Sequence, residues 1–250
     1  MAQDPQTWIL LSALTAELDT PRRTHRWGLG AFLLVEAIFL VVSVLVGAAV
    51  LGDDPPAVAA IAVALLVPTV LAAGTALLVT WLRGNGPRVD LGLRWSWHDV
   101  GLGLGFGFGG LVLTALAGAV YVWIVGPEAS SAVGDVIDGQ RSGLLTALSI
   151  GVIVVVIAPV CEEIIYRGLL WGALEKLGAG PWIAFGVTTV VFALAHFELT
   201  RAPLLLVISI PIGLARVVTG RLLAGIVAHQ VNNLLPGVAL MLSLLGVLPI

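Results

Sequence analysis

The chain has 250 residues, of which 59% are apolar and 11% are charged, and its formal net charge at pH 7 is −3. Soluble domains carry about 25% charged residues, so this composition excludes an ordinary soluble protein and indicates a polytopic membrane protein. The sequence contains no basic run, which argues against a nucleic-acid partner. Its one cysteine, Cys161, excludes an internal disulfide or a multi-cysteine metal site and is interpreted as a small buried residue.

The first 27 residues are predicted to lie at the membrane surface as an amphipathic segment. Apolar side chains at helical spacing come first and three arginines follow: Trp8, Ile9, Leu10, Leu11, Leu14 and Leu18, then Arg22, Arg23 and Arg26. Acidic residues precede these arginines, and the apolar stretch after them is too long for a signal peptide. We therefore do not interpret the segment as a signal peptide.

Residues 28–250 are predicted to form a single all-α, polytopic transmembrane helix bundle of about eight spans. The expected spans are residues 28–51, 57–82, 101–126, 144–177, 182–199, 203–219, 221–235 and 236–250. The last two have about 15 residues each, whereas a span needs roughly 20. The number of spans therefore depends on whether residues 236–250 cross the membrane. Glycines recur through the third span, and small residues let helices approach closely in lipid.

Charges in the connecting loops predict the orientation of the bundle. Arginines precede the first span and lie between the second and third, at Arg83, Arg88 and Arg94, whereas the loops on the other side are mainly acidic. The positive-inside rule then places the N-terminus in the cytoplasm, and eight spans would return the C-terminus there.

Two adjacent glutamates and an arginine interrupt the fourth apolar stretch, residues 144–177. An ionisable group at the centre of a membrane helix costs roughly 2.5–3.5 kcal/mol, so such groups indicate a functional site. Glu163 and Arg167 are four residues apart and are expected to pair on one helix face. Glu162 is rotated by about 100° and is predicted to be the carboxylate free for chemistry, unless all three form a structural ion pair. The stretch would reach roughly 50 Å, so it must tilt, kink at Pro159 or protrude.

More polar side chains are expected at membrane depth in the C-terminal half, whereas the first three spans contain almost none beyond Glu36. They are His196, Arg216, His229, Asn232 and Asn233. Polar groups from several helices at one depth indicate a shared internal site. A desolvated carboxylate can act as a general base on water, a histidine can orient that water, and His229 with Asn233 or Asn232 can donate to an oxyanion. Interhelical hydrogen bonds and a proton relay are the alternatives.

Three motifs follow one another along this half, each on its own apolar helix: Glu162-Glu163-x-x-x-Arg167, Phe192-x-x-x-His196 and His229-x-x-x-Asn233. In order and spacing they resemble the motifs of the CPBP family, which comprises type II CAAX prenyl endopeptidases and bacteriocin-processing or self-immunity (Abi) proteins. The likeness covers about residues 144–235. Gly213-Leu214 and Thr219-Gly220 also resemble the family, whereas Val218 stands where many relatives carry arginine.

The resemblance implies an intramembrane endopeptidase on a bundle of about eight helices. It implies that Glu162 activates water with the help of His196. It further implies that His229 and Asn233 stabilise the tetrahedral oxyanion. The expected partners are membrane lipid and a peptide or prenylated protein substrate, and the expected location is the plasma membrane of a bacterium.

The resemblance also gives Glu163 and Arg167 the task of ordering the first motif, but it leaves the cofactor open. Members of the family have been described both as metalloproteases and as glutamate-dependent proteases. Glu162, His196 and His229 are a candidate zinc ligand set, whereas the HExxH arrangement of many zinc proteases is missing. We favour a mechanism that requires no cofactor, with Zn²⁺ as the alternative.

Two other functions compete with a peptidase. One is a non-catalytic membrane immunity or scaffold protein of the same fold, against which the intact motifs argue. The other is a proton-coupled transporter, since buried glutamates and histidines also serve proton relays. A transporter predicts repeated halves, whereas the polar groups here are nearly all in one half of the chain.

Overall fold

The computed structural model describes residues 25–50, 52, 56–126 and 131–248 of the chain. These residues form helices joined by turns and short loops, with no strand among them. The helices are α1 (Leu29–Val50), α2 (Val58–Arg83), α3 (Pro87–Asp90), α4 (Trp97–Val125), α5 (Ala132–Ile137), α6 (Leu144–Lys176), α7 (Pro181–Leu194), α8 (Ala202–Thr219) and α9 (Leu222–Leu244). The all-α prediction is confirmed. The predicted surface segment lies outside the described residues except for its last three.

Among the described residues, six helices are long and apolar enough to cross a membrane: α1, α2, α4, α6, α8 and α9. The protein is therefore a multi-pass membrane protein. About eight spans were predicted, whereas the described residues contain six helices of this kind. The helix α7 is apolar but has only 14 residues, and it ends at Leu194 rather than at residue 199. Residues 221–248 contain the single helix α9, which continues through Pro236. A proline is tolerated in membrane helices where neighbouring groups satisfy the freed carbonyl.

The long helix α6 changes type twice along its length. It is π-helical at Ile153–Ile157 and again at Glu163–Leu170, and α-helical elsewhere. In the first π-helical turn the N–H of Ala158 bonds to the carbonyl of Ile153. The next donor in that register would be residue 159, but Pro159 has no N–H. The wider turn thus lies directly before the proline and leaves the carbonyl of Val154 without a donor from its own helix.

The hydrophobic core gathers around α6. Its buried side chains, among them Cys161, Tyr166 and Leu169, pack with buried residues of α1, α2, α7 and α9 such as Phe32 and Phe192. Cys161 is a free, buried thiol, as predicted. The apolar packing encloses the part of α6 that carries the charged motif, so the motif is held inside the bundle.

Glycines of α4 allow this helix to lie close to α9. A Cβ atom on Gly103 would lie 2.7 Å from the Val227 side chain, and one on Gly107 would lie 2.6 Å from Val231. Both distances are shorter than carbon atoms tolerate, so larger residues would separate the helices. The close approach expected from the glycine-rich third span is therefore present.

Polar contacts join several helices at the end of the bundle that contains Trp27, just before α1. The Trp27 indole donates to Asp90 Oδ2 at 3.0 Å, and Lys176 Nζ donates to the Trp27 carbonyl at 2.8 Å. Arg216 is buried near this end and donates to the carbonyl of Gly220, the left-handed residue that terminates α8. These contacts fix the chain that leads into α1 against the end of α6.

Candidate functional site

The two glutamates of α6 differ in exposure. The side chain of Glu163 is 0% exposed, whereas that of Glu162 is 24% exposed. They are neighbours in the chain, and the rotation of the helix between them directs their carboxylates into different surroundings. Glu162 is therefore the more accessible carboxylate of the pair.

Glu163 forms a buried ion pair with Arg167. Arg167 Nη1 donates to Glu163 Oε1 at 3.0 Å, and neither side chain is exposed. Arg167 Nη2 donates to the hydroxyl of Ser209 on α8, and the guanidinium lies 4.5 Å from the centroid of the Phe192 ring. The expected pairing within α6 is thus present, and it extends to α7 and α8. A buried charge needs such partners because leaving one unpaired costs about 3–5 kcal/mol.

His229 of α9 lies between the two glutamates. Its Nδ1 is 3.1 Å from Glu163 Oε1, and its Nε2 is 3.7 Å from Glu162 Oε2. An ionised carboxylate can only accept, so Nδ1 carries the hydrogen of the shorter contact. Gly225, one turn earlier on α9, leaves room for this arrangement, since a Cβ there would lie 3.0 Å from Glu163 Oε2.

His196 was expected inside a span but lies in the turn that follows α7. Its Nδ1 is 2.8 Å from the carbonyl oxygen of Phe192, so Nδ1 donates and Nε2 remains an acceptor in the neutral ring. The next residue, Phe197, has a φ of 55°, in the left-handed region that bulky residues rarely occupy. A left-handed residue commonly ends a helix, so this turn sets the position of His196.

The ring of Phe192 connects the motif residues of three helices. Its centroid lies 4.7 Å from that of His196 and 5.6 Å from that of His229, both in edge arrangements. The Tyr166 ring meets it edge-on at 5.5 Å. The two histidines therefore share one aromatic neighbour, and a shift of the Phe192 ring would change the packing of both.

The two asparagines of α9 bind different partners. Asn233 Nδ2 donates to the carbonyl of Val154 at 3.1 Å, the group that Pro159 leaves without a helical donor. It keeps a second Nδ2 hydrogen for another acceptor. Asn232 is buried and accepts from Thr114 Oγ1 of α4 at 2.9 Å, so its side chain is turned toward α4.

The candidate zinc set of Glu162, His196 and His229 does not have the geometry of a metal site. In the part of the chain that the structure describes, no three His, Cys, Asp or Glu side chains are grouped closely enough to hold a metal ion. Glu162 and His229 meet across α6 and α9, whereas His196 lies in the turn beyond α7. The residues present therefore do not fit a zinc centre.

Residues 144–235 match the family model described as Rce1-like, Type II CAAX prenyl endopeptidase Rce1-like. The matched segment runs from the start of α6 into α9 and contains all three motifs. Within this segment the chain is similar to the CPBP family, and we refer to residues 144–235 as the CPBP segment. No curated protein and no solved structure matches the chain.

The family that this model describes is a protease family of membranes, whose substrates are peptides or proteins. The matched segment begins at α6, so it leaves out α1, α2 and α4. Those three helices cover α6 and α9 from outside the CPBP segment.

Two residues that touch the motif side chains were missing from the predicted site. Ser209 accepts from Arg167, and the Tyr166 ring packs on Phe192. A lone serine in an apolar helix gives little signal beyond its polarity at membrane depth. Tyr166 did carry a signal, because it lies between Glu163 and Arg167 inside the first motif.

Proposed function

We propose that this protein is an intramembrane endopeptidase of the CPBP type that hydrolyses a peptide bond in or near the membrane, with Glu162 as the general base. The observation that carries the proposal is the contact at 3.7 Å between the partly exposed carboxylate of Glu162 and Nε2 of His229. It brings a group that can accept a proton and a group that can stabilise negative charge to one accessible point inside the bundle.

In the proposed reaction Glu162 takes a proton from water as the water oxygen bonds to the carbonyl carbon. The electron pair of the C=O bond moves to the carbonyl oxygen and forms the oxyanion. When this intermediate collapses, the C–N bond breaks and Glu162 returns the proton to the leaving amine. Nε2 of His196 assists by accepting a hydrogen bond from the same water, since its Nδ1 already donates to the carbonyl of Phe192.

His229 and Asn233 are proposed to stabilise the oxyanion. Fixed donors at such a position typically contribute roughly 100- to 1,000-fold in rate. Nε2 of His229 donates only when both ring nitrogens carry hydrogen, because Nδ1 already donates to Glu163. Asn233 donates through the Nδ2 hydrogen that the Val154 carbonyl does not use.

Glu163 and Arg167 are proposed to order the site rather than to react. Both are fully buried and bind each other, and Glu163 also fixes the ring of His229. The family description names a CAAX prenyl endopeptidase, so we propose a peptide or prenylated protein as the substrate.

The test is cleavage of a quenched-fluorescent farnesylated CAAX peptide, with an unprenylated peptide library as a second substrate, by purified protein in detergent. We expect activity in the wild type and a loss of at least about 100-fold in Glu162→Ala and in His196→Ala. The matched control is Glu175→Ala, on the same helix, where Glu175 accepts from the Trp171 indole at 2.9 Å. This variant should keep full activity.

A zinc chelator should leave the wild-type rate unchanged. Inhibition by the chelator that zinc reverses would make the reaction metal-dependent and contradict the proposed mechanism. Wild-type activity in Glu162→Ala would remove Glu162 as the base. Retention of the full biological effect by Glu162→Ala in cells would favour the non-catalytic scaffold.

A further inference from the structure

Glu36 is a carboxylate at membrane depth that lies outside the CPBP segment. It belongs to α1, seven residues after Leu29, which places it about 10 Å along the helix. It is only half-buried. An ionisable side chain at such a depth is rare and usually faces a partner or a cavity. None of the steps proposed for the motif residues uses Glu36.

Glu36 lies one turn after Phe32 on the face of α1 that meets Tyr166 of α6, where its carboxylate is within reach of the Tyr166 hydroxyl as a hydrogen-bond acceptor. Phe32, one turn earlier on the same face of α1, packs edge-on against the Tyr166 ring, with centroids 6.2 Å apart. Phe32 and Tyr166 are both buried. Two residues of α1 thus hold one aromatic side chain, Glu36 at the hydroxyl and Phe32 at the ring.

Tyr166 links this contact to the site. Its ring lies 5.5 Å from the ring of Phe192 at an angle of 90°. Phe192 in turn contacts the rings of His196 and His229. A continuous set of contacts therefore runs from Glu36 through two aromatic rings to both histidines.

We propose that Glu36 is a positioning residue, which holds the Tyr166 hydroxyl and thereby fixes the Phe192 ring against His196 and His229. This role rests on the proposed function and makes α1 a part of the active site. Without an acceptor the buried hydroxyl loses its partner, and the Tyr166 ring has to move to find another. Glu36 acts through Tyr166 and does not touch the substrate. Its loss should therefore lower kcat and leave KM nearly unchanged.

The test compares variants of the full-length protein on the farnesylated CAAX peptide. Glu36→Leu removes the acceptor at similar size, Tyr166→Phe removes the donor, and Glu36→Gln keeps an acceptor oxygen. We expect kcat to fall roughly fivefold to tenfold in the first two and to stay within about twofold of wild type in Glu36→Gln. The double variant should be no slower than either single one. A wild-type kcat in Glu36→Leu, or a double loss equal to the product of the two single losses, would overturn the role.

Ser43→Ala is the matched control on α1, because Ser43 donates to the carbonyl of Phe39 in its own helix at 2.7 Å. It should leave kcat unchanged. Glu162→Ala separates the two claims. If it keeps activity, the proposed function fails. If it is inactive while Glu36→Leu has the wild-type kcat, only the positioning role fails.

A second measurement needs no substrate. With 4-fluorophenylalanine in place of Phe192, the ¹⁹F chemical shift should change in Glu36→Leu and in Tyr166→Phe but not in Ser43→Ala. The same shift in all of these proteins would show that Glu36 does not act on the Phe192 ring.

Discussion

His229 and Glu163 meet between α9 and α6 with Nδ1 and Oε1 3.1 Å apart, and this contact leaves Nε2 of the histidine to face Glu162. The two neighbouring glutamates therefore have separate tasks in the proposed mechanism. Glu163 supplies a buried negative charge for Arg167 and His229, whereas Glu162 is accessible for reaction with water.

Replacing Glu163 should destabilise the protein far more than replacing Glu162. In Glu163→Gln the buried guanidinium of Arg167 loses its counter-charge, which costs about 3–5 kcal/mol. Glu162→Gln changes a partly exposed group and should cost less than about 1 kcal/mol. Thermal unfolding in detergent, followed by tryptophan fluorescence, measures the difference. Equal melting temperatures for the two variants would contradict the division of tasks.

Phe192→Leu should lower kcat by about tenfold, because both histidines lose their aromatic neighbour and Arg167 loses the ring beneath it. Phe185→Leu is the matched control, since Phe185 lies on the same helix but packs on Gly213 of α8 and near Trp182. Both substitutions remove the same atoms, and peptide cleavage by the two variants is compared at matched folded fractions. Equal losses of kcat would show that the Phe192 ring has no special relation to the histidines.

Gly225→Ala should impair both stability and cleavage. Its Cβ would lie 3.0 Å from Glu163 Oε2 and 3.5 Å from the carbonyl of Ile212, so the buried carboxylate has to shift away from its partners. The control is Gly105→Ala on α4, where a Cβ meets nothing within 4 Å. Melting temperature and kcat are measured for both, and Gly105→Ala should match the wild type. A Gly225→Ala variant as stable and active as Gly105→Ala would mean that Glu163 has room to move.

Pro159 and Asn233 should be coupled through the carbonyl of Val154. Pro159→Ala supplies a backbone N–H that can reach this carbonyl, which Asn233 otherwise satisfies at 3.1 Å. Asn233→Ala should therefore cost about 1 kcal/mol of stability in the wild type and less than half of that in Pro159→Ala. A double-mutant cycle on thermal unfolding measures the coupling. Strictly additive effects would show that the two residues do not share this acceptor.

Hydropathy predicted the all-α fold class and the first two spans well, because a long apolar segment in lipid has few alternatives to a helix. The first two expected spans differ from α1 and α2 by a single residue at each end. Prediction failed where an apolar run and a helix boundary do not coincide. A boundary between two spans was expected at residues 235 and 236, but α9 continues through Pro236. His196 was placed inside a helix, whereas the left-handed Phe197 follows the turn that ends α7.

Spacing within one helix predicted the contact between Glu163 and Arg167, because residues four apart share a face. It could not predict contacts between helices, which depend on how the helices rotate and pack. The hydrogen bond from Arg167 to Ser209 is of this kind, and so is the packing of Tyr166 against Phe32 of α1. The acceptor for Asn233 could not be predicted either. It is the carbonyl of Val154, which lacks a helical donor because Pro159 has no N–H.

Glu162 is proposed to take the proton from water, and chemical rescue of a variant without this carboxylate examines that role. The measurement is cleavage of the farnesylated CAAX peptide by Glu162→Ala, without and with added formate, beside a melting curve of the same sample. We expect a loss of at least about 100-fold, an unchanged melting temperature, and partial recovery with formate, which should not rescue His229→Ala. A wild-type rate in folded Glu162→Ala would contradict that role.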